Sequence, residues 1–335
     1  MSDMQQIVVA ELPQGELTEA HFAARTAAVP APDDGELLVR TILMSIDAAN
    51  RAWMQGATYR EAVEAGDVMH TYALGEVTES RADGFAPGDL VAVESRWSEY
   101  VVVSARRAMN VPRVPELSHL LSVYGIAGKT AYHGLTRIGQ PKAGETVVVS
   151  AAAGSVGIYV GQIAKALGCR AVGIAGGADK CAWVTETLGF DACVDYRSPG
   201  LFKALRTACP DGIDVYFDNV GGQILETVLF QMNQHGRVVC CGAVSQYNET
   251  APTGPRNLPG MIVVKRLRME GFIVMDFAEH DDAAVRQLSQ WVTGGAVQVV
   301  EDIVEGLDAA PRALVGLLSG DNRGKRMVRV GPDPS

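Results

Sequence analysis

Apolar residues along the chain follow two different rhythms, and the change between them falls near residue 124. Up to that point, short apolar runs at 36–43, 73–78, 90–93 and 100–103 are separated by Gly, Pro and Asp clusters, the pattern of an all-β region. Pro87-Gly88-Asp89 reads as a turn between two of these strands, with Gly88 supplying the permissive backbone. From Thr146 onward, apolar strands alternate with helical stretches, which calls for a parallel sheet covered on both faces. Strands are predicted at 146–149, 171–175, 192–195, 215–217, 237–241 and 269–274. Between the first two, Val156, Val160, Ile163, Ala164 and Leu167 share one face at helical spacing, and Gly168 is a C-terminal stop. A second helix is predicted from about Asp179, a candidate cap, to Leu188, and a third from about Asp281 to Val292. The tail 298–330 returns to a strand-and-helix mixture whose natural place is back on the first domain. The pattern therefore predicts an α/β chain. A doubly wound parallel sheet occupies 124–297, and a mainly-β domain is split between 1–123 and 298–335, with a binding site expected in the cleft between them.

Composition narrows the function classes. The 335 residues exceed one ordinary domain, and no repeat or low-complexity block interrupts them. The formal net charge is -10 and the basic residues are scattered, so no stripe exists to track a nucleic-acid backbone. The opening MSDMQQIVVAELPQG lacks the basic and apolar regions of a signal peptide, and no apolar run has the length to span a bilayer; the cytoplasm is the expected location. Cys169, Cys181, Cys193, Cys209, Cys240 and Cys241 include no C-x-x-C pair, a spacing that suits buried free thiols better than disulfides or a zinc cluster.

The most informative segment is ETVVVSAAAGSVGIYVGQIAKALG: a strand, a tight turn of small residues and an amphipathic helix. Gly154 permits the turn, Gly157 lets the backbone approach a pyrophosphate, and the helix N-terminus offers N–H groups to the anion; Gly161 can draw helix and strand together. The spelling departs from G-x-G-x-x-G, but the strand before it, the helix after it and the alternation that follows favour dinucleotide binding over a structural loop. At the end of the second strand an acidic residue would select NAD by bonding the ribose hydroxyl. The chain instead reads AGGADK, where Gly176 and Gly177 leave space and Lys180 brings a charge suited to a 2′-phosphate. NADPH is the expected cofactor, although Lys180 can equally be read as a solvated helix residue.

In order, the segments AAAGSVGIYVGQIAKALGC, VDYRS, DGIDVYFDNVGG, GRVVCCGAVSQYN, LRMEGF and GDNRGK resemble the prostaglandin reductase, or leukotriene dehydrogenase, branch of the medium-chain dehydrogenase/reductase superfamily. That branch also holds 2-alkenal, double-bond and curcumin reductases. The resemblance covers nearly the whole chain and is strongest over 144–325. It implies a GroES-like catalytic domain, a Rossmann domain, a homodimer, and zinc-independent, NADPH-dependent reduction of a carbon–carbon double bond beside a carbonyl. It also implies cofactor contacts at Gly154, Ser155, Val156, Gly157, Lys180, Tyr196, Asn219, Cys241, Gly242, Ala243, Val244, Ser245, Tyr247, Phe272, Ile273, Val274 and Asn322. By position, Tyr196, Asn219 and the 241–247 loop follow the third, fourth and fifth strands, at the edge where dinucleotides bind. Without the resemblance, Tyr196 reads as an aromatic on the core rim and Asn322 as a turn residue tolerating left-handed backbone.

Zinc-dependent members of the superfamily hold their metal with Cys and His from the N-terminal domain. This chain has no Cys there, and Leu74-Gly75-Glu76 stands where they carry Gly-His-Glu, so no metal site is expected. What remains is hydride delivery to the β-carbon of an enal or enone and protonation of the enolate. Tyr59, in MQGATYREAV, is the candidate proton donor; its alternative role is to line the pocket while solvent supplies the proton. A tyrosine that some relatives carry before LRME is Val264 here. In SIDAANRAWM, where relatives read D-P-Y-M-R, Ala48 and Ala49 replace the proline and aromatic while Asp47 and Arg51 remain. Trp53 and Trp97 either refill that space or pack in the core. Three rival readings stay open: a quinone reductase on the same scaffold, a non-catalytic NADPH-binding protein, and a secondary-alcohol dehydrogenase with His70, His119 or His133 as base.

Overall fold

The computed structural model describes residues 2–334 apart from 59, 250 and 252. Two compact units form. The first comprises Met1–Leu121, Glu301–Asp321 and Arg326–Ser335; the second comprises Ser122–Val300 and Asn322–Lys325.

In the first unit, β1 (Asp3–Val9) and β2 (Phe22–Ala28) form an antiparallel ribbon that the hydrophobic pattern did not reveal. Its outer strand β2 buries little beyond Phe22, so no alternation marks it. Then come β3 (Glu36–Ser45), a short helix α1 (Ala49–Trp53), β4 (His70–Ser80), β5 (Leu90–Arg96), β6 (Tyr100–Ser104) and β7 (Met109–Asn110). Strand β3 pairs antiparallel with both β4 and β6, and β4 pairs with β5. Gly88 carries the left-handed φ of 94° in the β4–β5 turn. Trp53 and Trp97 are both core residues, the Trp97 ring lying tilted against Phe22 with centroids 5.3 Å apart.

The second unit begins with α2 (Ile126–His133). It continues β8 (Thr146–Ser150), α3 (Gly157–Ala166), β9 (Arg170–Ala175), α4 (Ala178–Glu186), β10 (Ala192–Asp195), α5 (Leu201–Ala208), β11 (Ile213–Asp218), α6 (Gly222–Leu229), β12 (Met232–Cys240), α7 (Leu258–Lys265), β13 (Arg268–Gly271) and α8 (Asp281–Thr293). The strands are parallel in the order β10-β9-β8-β11-β12-β13, so the winding reverses between β8 and β11. That reversal opens a crevice at the carboxyl ends of β8 and β11. Strand β8 shows why the sheet sits between two layers. Val147 and Val149 join Ile158 and Val160 of α3 in one core cluster, and Val148 joins Ile224 and Val228 of α6 in another. Each buried valine contributes roughly 1.5–3 kcal/mol. A continuous apolar run is what a strand covered on both faces requires.

Two strands end earlier than their apolar pattern predicts. β12 stops at Cys240 and β13 at Gly271, leaving Cys241 and residues 272–274 in loops beyond the sheet. Phe272 mimics a strand residue because it is apolar, but its ring turns inward to meet Phe217 edge-on at 6.3 Å. Helix α7 was not legible because apolar residues occupy both faces: Leu258, Met261 and Ile262 pack half-buried on the core while Val263 and Val264 are exposed, so no polar face marks its period. Asp179 lies inside α4, whose N-cap is Gly177 at φ 97°. The chain then returns to the first unit through β14 (Glu301–Glu305), α9 (Ala310–Ser319) and β15 (Lys325–Arg329), which extend the first sheet in the order β14-β15-β3-β4-β5-β7.

Candidate functional site

The β8–α3 turn is built differently from its simplest reading. Left-handed backbone falls on Ala151 (φ 51°), not on Gly154, whose N–H closes the turn onto the Ala151 carbonyl at 2.9 Å. An L-residue held there stores strain of about 1–2 kcal/mol, a cost concentrated at the strand end facing the crevice. Gly157 is required by close approach: a Cβ there would lie 2.2 Å from the Ala151 carbonyl oxygen and 2.9 Å from the Ala152 Cα. The start of α3 is thereby drawn onto the end of β8, and the first-turn amides of a helix have no acceptors within it. Ser155 and Val156 complete this turn. Gly161 makes room for a ring, not for a strand, since its Cβ would fall 1.8 Å from Phe190.

Residues 322–325 cover one side of the same loop. Gly324 N–H donates to the Ala153 carbonyl at 2.8 Å, and Gly154 and Gly324 form a parallel bridge. Asn322 is buried, with Nδ2 donating to the Gly324 carbonyl at 2.8 Å. Its carbonyl accepts from Lys180 Nζ at 2.6 Å. Left-handed backbone in this turn belongs to Gly320 and Gly324, so Asn322 is not there to tolerate it. Nor is Lys180 a merely solvated helix residue, because its ammonium is anchored 142 positions away.

At the carboxyl ends of the paired strands β8 and β11, a buried carboxylate organises the turn. Asp218 Oδ1 accepts from Tyr216 Oη (2.8 Å), Gly221 N (2.9 Å), Val220 N (3.0 Å) and Ser150 Oγ (3.2 Å). Burial pushes the Asp218 carboxyl up from its ordinary value, against the pull of these donors. Asn219 is clamped to the same strand end, its N–H donating to Ser150 Oγ (2.9 Å) and its Nδ2 to the Ser150 carbonyl (2.8 Å). The loop after β12 hangs from these groups. Cys241 and Gly242 donate to the Asp218 carbonyl, Val244 donates to that of Asn219, and Ser245 Oγ donates to that of Val220 at 2.6 Å. Ala243 N–H reaches Tyr247 Oη at 3.5 Å, and burial raises the Tyr247 phenol. Cys241 is likewise pushed up to about 12 by burial, so its sulfur is a neutral thiol at physiological pH and no nucleophile. Ser150, Tyr216 and Asp218 were missed in the sequence, where they read as strand-end residues; the acidic D-N pair closing an apolar strand was the available signal.

The outer part of the edge, at β9 and β10, is exposed and cationic. Gly176 is held free of a side chain by its neighbours: a Cβ would meet Arg197 Nε at 2.9 Å, Tyr196 Cε1 at 3.0 Å and Tyr196 Oη at 3.1 Å. Asp195 accepts from Gly177 N (2.7 Å), Arg197 N (2.9 Å) and Ser198 Oγ (2.8 Å), and those hydrogen bonds, led by Gly177, hold its carboxyl below the usual range. At the opposite edge, Phe272 packs over Gly134, and Ile273 and Val274 lead into a 3-10 turn.

In the first unit, Tyr59 lies outside the described residues. Glu76 pairs with Arg40 at 2.6 Å, and a Cβ on Gly75 would meet Val39 Cγ1 at 2.3 Å. Arg51 is buried with one nitrogen on the Gly15 carbonyl. His70 bonds the Arg60 guanidinium at 3.0 Å, and burial, then Arg96 and Arg60, push it down to about 4, which makes a weak base. In the second unit, the His133 ring is buried and sits 3.2 Å from Asp281, while Val264 on α7 is exposed. Among the described residues, no group of three His, Cys, Asp or Glu is placed to hold a metal ion.

Comparison with known proteins matches residues 5–111 to the family described as N-terminal domain of oxidoreductase and residues 155–293 to that described as zinc-binding dehydrogenase. The chain is 41% identical to the NADPH-dependent curcumin reductase of Escherichia coli, over 97% of this chain and 96% of that one. It is 40% identical to the 2-alkenal reductase (NADP(+)-dependent) of Nicotiana tabacum, over 88% and 87%. The crystal structure of CurA in complex with NADPH from Vibrio vulnificus superposes with a TM-score of 0.94 at 38% identity, covering 98% of this chain and 99% of that one. Glycines that admit close backbone approach at the β8–α3 turn and an anchored lysine beside Gly176 and Gly177 are features a phosphorylated dinucleotide requires, and they sit on a chain matched from end to end; this protein belongs to the zinc-independent prostaglandin reductase and 2-alkenal reductase branch of the medium-chain dehydrogenase/reductase superfamily.

Proposed function

We propose that this chain reduces the carbon–carbon double bond of an α,β-unsaturated aldehyde or ketone with NADPH, without zinc. The observation that carries the reading is identity of about 40% across nearly the whole chain to proteins named for NADPH-dependent and 2-alkenal reduction. Residues 124–297 would bind NADPH, and 1–123 with 298–335 would form the GroES-like catalytic domain. Bound there, NADPH supplies the hydride.

The chain's own groups position and neutralise. Gly154, Ser155, Val156 and Gly157 present backbone to the pyrophosphate, and Lys180, steadied by Asn322, faces the 2′-phosphate beside Tyr196. Asn219, the loop from Cys241 through Gly242, Ala243, Val244 and Ser245 to Tyr247, and the segment Phe272, Ile273 and Val274 complete the cradle. Their anchoring supports the reading, because Cys241, Gly242 and Val244 donate to the carbonyls of Asp218 and Asn219 at the end of β11. Hydride arriving at the β-carbon leaves an enolate, and Tyr59 is the residue we assign to protonate its α-carbon, re-forming the carbonyl. The exposed outer edge of β13 and exposed Val263 and Val264 support a homodimer. Six free cysteines support a reducing, cytoplasmic setting. No helix among the described residues is long and apolar enough to cross a membrane.

The test follows NADPH absorbance with an aliphatic 2-alkenal, an enone and a simple quinone, and identifies the product. Saturated aldehyde or ketone supports the reading. Consumption with quinone alone, or NADPH binding without turnover, overturns it.

A further inference from the structure

We infer that Arg197 is a specificity-determining residue for the 2′-phosphate of NADPH, acting alongside Lys180 at the end of β9. The inference rests on the NADPH reading above and adds to it a residue that no local motif marks.

Three observations place Arg197 there. First, its Nε lies 2.9 Å from where a Gly176 Cβ would stand, so the side chain folds over the end of β9 instead of leaving for solvent. Second, the guanidinium carbon lies 5.9 Å from the Tyr196 ring centroid, with that ring also against Gly176; the aromatic face orients the charge. Third, Asp195 accepts from Gly177 N, Arg197 N and Ser198 Oγ, which ties the backbone of Arg197 to that of Gly177. One carboxylate thus shapes the backbone at both Gly177 and Arg197. Lys180 approaches from the first turn of α4, tethered by the Asn322 carbonyl. A dianionic phosphate bound at this strand end would meet a planar fork from Arg197 and a point charge from Lys180, two complementary ways of holding phosphate.

The test is calorimetric binding of 2′,5′-ADP and 5′-AMP to the full-length protein, as wild type, Arg197→Gln and Arg197→Lys, with thermal melts confirming the fold. Arg197→Gln is expected to weaken 2′,5′-ADP about 10-fold, equivalent to about 1.4 kcal/mol, while 5′-AMP changes less than about 2-fold. Arg197→Lys is expected to recover part of the loss. Rising salt should shrink the difference between wild type and Arg197→Gln, since the site is exposed. Equal weakening of both nucleotides would assign Arg197 a structural role and overturn the inference, as would an unchanged 2′,5′-ADP affinity. Wild type that fails to prefer 2′,5′-ADP to 5′-AMP would overturn the NADPH reading and the inference together, whereas an unresponsive variant of a discriminating wild type sinks the inference alone.

Discussion

The two halves of the nucleotide edge in the second unit use the same residue types under opposite physics. On the inner half, Asp218 is buried at the end of β11 and gathers four donors onto one oxygen. On the outer half, Asp195 ends β10 near solvent, with three donors and a neighbouring Arg. Burial raises the first carboxyl and hydrogen bonds lower the second. The inner half is therefore rigid and position-setting, because any lost partner strands a buried polar group. The outer half is built from charges in water, which can be changed without endangering the fold.

The largest expected effect breaks the inner half. Asp218→Ala leaves Tyr216, Ser150, Val220 and Gly221 without their acceptor and should lower unfolding free energy by about 3–5 kcal/mol in urea titrations. Asp218→Asn keeps an acceptor oxygen and should cost about 1–2 kcal/mol. A loss below 1 kcal/mol for the alanine variant would mean that the inner network is not structural. Next comes the packing of α3 beneath this edge: Gly161→Ala drives a methyl into the Phe190 ring and should cost about 1–3 kcal/mol. Adding Phe190→Leu should recover part of that loss, and strict additivity in the double-mutant cycle would show that the two side chains do not meet.

Smaller still is the outer half. Lys180→Gln should raise the Kd for NADPH about 10-fold, about 1.4 kcal/mol, and leave thermal stability nearly unchanged. A parallel rise for NADH would show that Lys180 acts on the fold and not on the phosphate.

The finest contrast is in pH. Asp218, raised in the folded state, stabilises fully below its unfolded pKa of about 3.9, and that contribution is lost as pH rises through the folded value. Asp195, lowered in the folded state, contributes fully above about 3.9 and loses that contribution as pH falls through its folded value. Asp218→Asn should thus flatten the stability profile above about pH 4 and Asp195→Asn below it. Profiles that both flatten on the same side would erase the distinction between the halves.

Much of the scaffold was legible before any coordinates. The run Thr146–Ser150 is apolar on both faces, the small-residue turn follows it, and α3 repeats its apolar face at helical spacing. The Gly176-Gly177-Lys180 junction could also be read, because it contrasts with an acidic residue expected at one position. Other readings failed where a residue's role depends on a distant neighbour. Gly161 looked like a helix–strand spacer, yet it accommodates a ring from a loop beyond α4. Ala151 carries the left-handed backbone that the glycine pattern assigned to Gly154. Arg197 passed unnoticed, since nothing local distinguishes it from a solvated arginine.

By itself the sequence determined the alternation of strands and helices, the turn chemistry and the lack of a carboxylate at Gly176 and Gly177, because apolar period and residue identity act over a few residues. Strand order was a tertiary decision. Only the parallel pairing of β9 with β10 sets Tyr196 and Arg197 over Gly176, and only the return of residues 322–325 to the β8–α3 loop anchors Lys180. Such contacts form between segments that local propensity cannot see, and their energy comes from packing and paired charge once the sheet has brought them together.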